Sequence, residues 1–265
     1  MPKVKVNDVE IYYETNGEGE PLLMIPGWGG STKSYSAFSQ ILSKYFKFIV
    51  MDNRGAGQSS KPDISYTIRT MAEDVAGFMD SISLENAFIL GGSMGGMIAQ
   101  VLAAKYKEKV DKLVLACTSC GGSNSIPFIK ESMDIIQQYI DLLGNLTQKE
   151  RVTLLMEAFY TQEFLEGRRE QILADRLTRT PSPSYALQRQ LEAIMLHDSY
   201  ELLPEIKAPT LIVHGKKDVL IPYENALILK ERIPNSEIRI YEKTGHFLAE
   251  EGAQILKDIL NFLQT

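Results

Sequence analysis

The sequence predicts one α/β domain: a mostly parallel twisted sheet flanked by helices, with a helical cap inserted after the sixth strand. Three observations predict it. Short apolar runs alternate with helix-period segments as far as Ala116; the 85 residues from 121 to 205 then show helical periodicity only; and the alternation resumes after Pro209. Continuous apolar runs of strand length suit parallel strands buried on both faces, and an insertion between two such strands lies over their ends, where ligands bind in sheets of this kind. On this reading residues 1–120 and 206–265 form the core and 121–205 the cap.

Each element follows in order. Val4 to Val6 and Val9 to Tyr13 flank Asn7-Asp8, a polar pair suited to a hairpin turn, and Leu22 to Ile25 is a short apolar strand closed by Pro26-Gly27. Phe46 to Met51 and Ala87 to Leu90 read as buried parallel strands, while Met71, Val75, Phe78 and Ile82 between them recur at helical spacing. A helix from Met94 to Lys105 and a strand from Val110 to Ala116 follow. The insertion carries helical stretches at Phe128 to Leu143, Thr147 to Phe159 (Thr147 and Glu150 making a capping box), Gln162 to Leu177 and Tyr185 to Leu196. The core then closes with the strand Thr210 to Val213, a helix from Tyr223 to Arg232, the strand Ile238 to Tyr241 and a last helix from Ala253 to Leu263.

Composition narrows the function classes. At 265 residues, 44% apolar and 23% charged, the chain is long enough to bury on the order of three-quarters of its unfolded surface. Its net charge of −6 has the wrong sign for a protein whose affinity comes from neutralising phosphates, so nucleic acid is not an expected partner. No apolar run approaches the ~20 residues of a membrane span, and the opening residues lack a signal-peptide pattern. The expectation is a cytoplasmic protein with no membrane partner. The C-x-x-C pair Cys117 and Cys120 is followed by Gly121-Gly122-Ser123 rather than a helix, and it lacks further ligands at metal spacing. It reads as two reduced thiols, with no metal and no cofactor expected.

The chemistry centres on Gly91-Gly92-Ser93-Met94-Gly95, a G-x-S-x-G pattern that follows one strand and opens a helix. That context holds a serine on a strained turn with its hydroxyl at the sheet edge, and small residues let the helix leave close to the strand. Serine needs a base, and the base needs an acid to fix its tautomer. Of three histidines, His214 directly follows a buried strand and reads as packed; His197 lies in the cap; His246 follows the last strand and precedes the last helix, on Ser93's edge. His246 is therefore the expected base. Asp218, shortly after the strand Thr210 to Val213, is the expected acid, while Glu242 reads as a solvated loop charge and Glu224 as a helix-start carboxylate. Two backbone donors should stabilise an oxyanion: the N–H of Met94, and that of Trp28 in the loop Pro26-Gly27-Trp28-Gly29-Gly30.

With these residues in view, the chain resembles the α/β-hydrolase superfamily over nearly its whole length. It is most similar to the small cap-bearing esterases and lactonases, a group that takes in 3-oxoadipate enol-lactonase-like enzymes, carboxylesterases, cofactor-free perhydrolases and pimeloyl-carrier-protein methyl esterases. Asp52-Asn53-Arg54-Gly55-Ala56-Gly57-Gln58-Ser59 resembles that group's D-x-R-G-x-G-x-S loop, and Leu203 to Thr210 its return from cap to core. The resemblance implies Ser93 as nucleophile, Asp218 as acid, His246 as base and Trp28 with Met94 as oxyanion hole. It departs at Pro26, where the group usually has histidine. Asp52 and Arg54 read as structural.

The implied activity is hydrolysis of a small or medium carboxylic ester or lactone through an acyl-enzyme. Perhydrolysis or carbon–carbon bond hydrolysis would use the same three residues. A non-catalytic or single-turnover ligand-binding protein on this fold is the alternative. The cap should select the substrate, with Phe128, Phe159, Phe164 and Met195 as its candidate acyl-binding side chains. It carries −5 of the chain's net charge, against a highly anionic substrate, and the stripe Arg169, Arg176, Arg179 reads as a solvated face before it reads as a dock for an acidic carrier protein.

Overall fold

The computed structural model describes residues 2–178, 182–248 and 252–265, and it contains an eight-stranded sheet in the order β1-β2-β4-β3-β5-β6-β7-β8. The strands are β1 (Lys3–Val6), β2 (Val9–Asn16), β3 (Pro21–Ile25), β4 (Lys47–Met51), β5 (Ala87–Gly92), β6 (Val110–Ala116), β7 (Thr210–Gly215) and β8 (Ser236–Tyr241). β1 and β2 form the expected hairpin: Val6 pairs with Val9, and Asn7 takes a φ of 50°, left-handed backbone that asparagine tolerates better than most residues. β2 meets β4 antiparallel, and every pairing from β4 to β8 is parallel.

The two faces of the sheet are filled by alternating residues. Leu23 and Ile25 join a cluster with Val75 and Phe78 of α2 (Ile68–Ser81), Ile98 and Leu102 of α3 (Met94–Lys105) and Leu229 of α9 (Glu224–Arg232). Leu22 and Met24 face the other way, against Leu42 of α1 (Ser36–Leu42) and Ile255, Ile259 and Leu263 of α10 (Ala253–Gln264). Helices on both faces explain why these strands read as unbroken apolar runs rather than as alternation. Each such side chain stabilises the fold by about 1.5–3 kcal/mol when fully buried. The short helix α1 has no counterpart among the expected elements, because Ser36-Ala37-Phe38-Ser39-Gln40 carries no helical apolar stripe.

Between β6 and β7 the described chain is helical: α4 (Lys130–Leu142), α5 (Gln148–Phe159), α6 (Gln162–Leu165), α7 (Arg169–Arg176) and α8 (Ser184–Met195). The Thr147 N–H donates to Glu150 Oε2 at 2.8 Å, closing the capping box at the start of α5. The single helix expected over Gln162 to Leu177 is two, because Gly167 adopts φ 72° and turns the chain between α6 and α7. This region has apolar clusters of its own, one joining Tyr139, Ile140, Ala158, Leu187 and Leu191, another joining Met156, Tyr160, Leu165 and Leu173. No helix among the described residues is long and apolar enough to cross a membrane.

Parallel strands place their carboxyl ends at one edge of the sheet. β3 leads there into Pro26 to Gly30, β5 into Ser93, β7 into Asp218 and β8 into His246. The helical region carries the side chains that meet this edge.

Candidate active site

Ser93 lies between β5 and α3 with φ 54° and ψ −122°, a conformation that costs a non-glycine residue of order 1–3 kcal/mol and needs support from its surroundings. That support is on hand. The Ser93 N–H donates to Ala116 O at 2.9 Å, and the Ser93 carbonyl accepts from Thr118 Oγ1 at 2.8 Å and from the Gly96 N–H at 2.9 Å. The flanking glycines are demanded by close approach: a Cβ on Gly91 would lie 2.4 Å from Gly95 O, and one on Gly95 would lie 2.0 Å from Ile25 O. The second contact refines the sequence reading, since Gly95 makes room for the end of β3 and not only for the strand that precedes Ser93. The Ser93 side chain is half-buried and abuts the loop after β3, where a Cβ on Gly27 would come within 3.4 Å of Ser93 Cβ.

Asp218 and His246 meet. His246 Nδ1–H donates to Asp218 Oδ2 at 2.8 Å, and both side chains are buried. Backbone bonds from Lys216 N to Tyr241 O (2.9 Å) and Lys217 N to Thr244 O (3.0 Å) lace the two loops that carry them. Asp218 Oδ1 accepts from the Leu220 and Ile221 N–H groups at 2.8 and 2.9 Å. Burial opposes a charge on this carboxyl, but the positive field of His246 and hydrogen bonds from His214 and His246 outweigh it and hold its pKa well below the usual carboxylate range.

His214 does more than pack at the end of its strand. Its Nε2 lies 3.1 Å from Asp218 Oδ2 and 3.0 Å from Ile221 O, two acceptors, so Nε2 carries the proton and donates to both. One carboxylate oxygen is thus gripped by two imidazoles. The spacing of His214 four residues before Asp218 was the available signal, but only the turn after β7 brings the side chains together.

The oxyanion candidates are backbone groups. Met94 opens α3, so its N–H has no partner within the helix. In the loop after β3, the Gly27 N–H donates to Tyr35 Oη (3.3 Å), the Gly29 N–H to Gln190 Oε1 (2.9 Å) and the Gly30 N–H to Gly27 O (3.1 Å). The Trp28 N–H has no hydrogen-bond partner among the described residues. Asn53 Nδ2 braces the loop from below, donating to Pro26 O at 2.8 Å, and the Asp52 carboxylate accepts from the Thr32 and Gln58 N–H groups. Arg54 is buried, its guanidinium donating to Asp74 (2.8 Å) and Asp8 (2.9 Å). Gln190, which no sequence motif marks, is the residue that reasoning from the sequence missed.

The four cap candidates separate. Phe159 stacks on the His246 ring (centroids 5.7 Å, 28°) and leans on Trp28 at 6.5 Å. Phe128 is half-buried between the core and the α4–α8 cluster. Phe164 stacks on Tyr160 at 5.6 Å under the Arg168 guanidinium, within the α5–α7 cluster. Met195 is 57% exposed and lines an outer groove with Met133, Leu191 and Leu196, a lining that includes none of Ser93, Asp218 and His246. Met195 lies on the solvent side of α8, whereas Phe159 lies against the His246 ring. The arginine stripe is also not an open face, since Arg169 pairs with Glu157 at 2.7 Å and Arg176 turns inward to Tyr160 Oη (2.7 Å) and the Phe247 ring (4.5 Å). Arg179 lies outside the described residues.

Cys117 and Cys120 are both buried thiols, not a disulfide. Cys117 Sγ, a His214 ring nitrogen and an Asp218 oxygen lie within 4.8 Å of one another, a set of ligand types that can hold a metal ion. Both oxygens of Asp218 are already engaged by hydrogen-bond donors, so a cation there would compete with His246.

His197 is buried, and desolvation pulls its pKa down to about 4. Between pH 6.5 and 4 the unfolded chain binds a proton that the folded chain refuses, so stability falls as pH drops through that window, by about 3 kcal/mol in all. Urea denaturation at pH 7.5 and 4.5 should show this loss in the wild type and a smaller one in His197→Leu. Equal losses in both would assign the slope to another group.

A family model for the alpha/beta hydrolase fold matches residues 20–253. The chain is similar to the AB hydrolase superfamily protein YisY of Bacillus subtilis, 32% identical over 90% of this chain and 89% of that protein. It is 30% identical to the serine hydrolase BPHL of Mus musculus, over 97% of this chain and 85% of that one. Among solved structures, the esterase EaEST from Exiguobacterium antarcticum is similar with a TM-score of 0.80 and 26% identity, covering 99% of each chain.

Proposed function

The chain belongs to the alpha/beta hydrolase fold family, and from that premise we propose that it is a serine hydrolase cleaving a small or medium carboxylic ester, lactones included, through an acyl-enzyme. One observation carries the proposal: strands ending at a single sheet edge lead to a serine on a supported positive-φ turn and to an imidazole whose Nδ1 is held by a buried carboxylate. A serine hydrolase and an esterase among its relatives support the same class.

In this mechanism His246 Nε2 takes the Ser93 hydroxyl proton as Oγ attacks the ester carbonyl carbon. Asp218 keeps the proton on Nδ1, which leaves Nε2 as the acceptor, and stabilises the imidazolium that forms. The carbonyl oxygen becomes an oxyanion that accepts hydrogen bonds from the Trp28 and Met94 N–H groups. His246 then gives the proton to the departing alkoxide, and the alcohol leaves. Water, deprotonated by the same nitrogen, attacks the acyl-enzyme; as the bond to Oγ breaks, His246 returns that proton to Ser93 Oγ and the acid is released, and in a lactone acid and alcohol leave as one molecule.

Cys117 supplies a second reading, because its thiol also neighbours His214 and Asp218. It is 3% exposed, whereas Ser93 is half-buried at the sheet edge, and only the latter is open to a substrate carbonyl. Labelling with a fluorophosphonate tests both. The expected result is an adduct on Ser93, turnover of p-nitrophenyl acetate well past one equivalent, and activity retained in Cys117→Ser. An adduct on Cys117 would install the thiol as nucleophile, and release that stops at one equivalent would favour a single-use binding protein.

The stacking of Phe159 on His246 makes it the cap residue best placed to feel the acyl chain. Phe159→Ala should change the ratio of kcat/KM between octanoate and acetate esters by about tenfold, or ~1.4 kcal/mol. Phe164→Ala and Met195→Ala should leave that ratio unchanged. A uniform ratio in all three variants would place acyl selection elsewhere.

A further inference from the structure

Pro26 has neither an N–H nor a side-chain donor with which to brace the loop that follows. The brace comes from the cap. Gln190 of α8 is fully buried; its Oε1 accepts the Gly29 N–H at 2.9 Å and its Nε2 donates to Arg54 O at 2.8 Å. Three residues earlier on the same helix face, Leu187 O accepts the Trp28 indole N–H at 2.9 Å. The fit is close, with the Leu187 side chain 3.0 Å from where a Gly29 Cβ would lie and Gln190 Nε2 3.2 Å from where a Gly55 Cβ would lie.

We infer that Gln190 is a positioning residue for the oxyanion hole, tying the orientation of the Trp28 N–H to the seating of the cap. The inference rests on the serine-hydrolase reading above. A trans peptide points its C=O and N–H in opposite directions, so the Gly30 N–H, by gripping Gly27 O, aims the Trp28 N–H the other way. The next peptide is free to rotate unless the Gly29 N–H is held, and among the described residues Gln190 Oε1 is what holds it. Asn53 grips Pro26 O from the core side, so the loop lies between a core donor and a cap acceptor. Withdrawal of α8 would release Trp28 and Gly29 together, and the hole would lose its alignment whenever the cap is unseated. Oxyanion donors act through pre-set geometry, so a loosened donor lowers the chemical step and leaves ester binding nearly alone.

Trp28 is the only tryptophan in the chain, so its fluorescence reports this contact without interference. In Gln190→Leu, kcat per titrated active site should fall by about tenfold to a hundredfold with KM within about threefold. The affinity for a trifluoromethyl ketone, whose adduct oxyanion occupies the hole, should fall by the same factor as kcat/KM. The Trp28 emission should move to longer wavelength and become more open to acrylamide quenching. Gln190→Glu keeps the acceptor for Gly29 and, buried against the Arg54 carbonyl, holds a carboxyl proton to donate there in place of the lost amide, so it should recover most of the rate. A Gln190→Leu enzyme with kcat per active site within about twofold of wild type, or a Gln190→Glu enzyme no better than it, would overturn the inference. If Gln190→Leu does not fold, Gln190→Glu decides: kcat above about a tenth of wild type supports the inference, and below that overturns it. Ser93→Ala, assayed alongside, separates the two failures. An active Ser93→Ala removes the serine-hydrolase reading itself, whereas an inactive one beside a fully active Gln190→Leu removes only the role of Gln190.

Discussion

Ser93→Ala is expected to lower kcat by about 10⁴- to 10⁶-fold, with what remains coming from binding and the backbone donors alone. His246→Ala should cost about as much, and the double variant no more than either, because the two side chains act on the same proton. Alanine at φ 54° keeps the backbone strain of the turn, and the Ser93 backbone bonds to Ala116, Thr118 and Gly96 do not involve the hydroxyl. The thermal midpoint of Ser93→Ala should therefore stay near that of wild type. Turnover of a p-nitrophenyl ester, corrected for folded protein, is the measurement. A residual rate above about a hundredth of wild type would move the nucleophile away from Ser93.

Asp218→Asn should lower kcat by about 10⁴-fold without disturbing the packing. Oδ2 of Asp218 accepts from two imidazole N–H groups, His246 Nδ1 and His214 Nε2. An asparagine amide nitrogen at that position is a donor, so His246 must present an unprotonated Nδ1 to it and carry its proton on Nε2, the atom that has to accept from Ser93. If the amide instead turns its oxygen to the histidines, its NH₂ faces the Leu220 and Ile221 N–H groups, and two donors meet without an acceptor. Glu242 is no substitute: its side chain is 71% exposed and it pairs with Lys216 at 2.9 Å. Glu242→Gln should leave kcat unchanged. Near-wild-type turnover in Asp218→Asn would place the acid elsewhere.

Much of the fold was legible because its signals are local. All eight strands coincide with apolar runs or a hairpin pattern visible in the sequence, and the capping box at Thr147 and Glu150 specifies where α5 begins. The break at Gly167 was hidden because helical periodicity in the apolar residues persists across α6 and α7, while the turn depends on a single backbone angle. Candidate site residues were legible for a related reason. In a parallel sheet the loops after successive strands share one edge, so knowing that Ser93, Asp218 and His246 each follow a strand suffices to group them.

What the sequence by itself determined is therefore the succession of the eight strands and of most helices, the helical insertion between β6 and β7, and the strand ends at which nucleophilic, acidic and basic side chains emerge. Tertiary structure alone decided what those side chains touch. His214 became a second donor to Asp218, Phe159 came to lie on His246, Met195 was left in solvent, and Gln190 reached across from α8 to Gly29 and Arg54. The physical reason is one of range: periodicity and turn chemistry are set by neighbours a few residues apart, whereas a hydrogen bond spanning 161 residues, as between Gly29 and Gln190, depends on how a whole helix is rotated and seated.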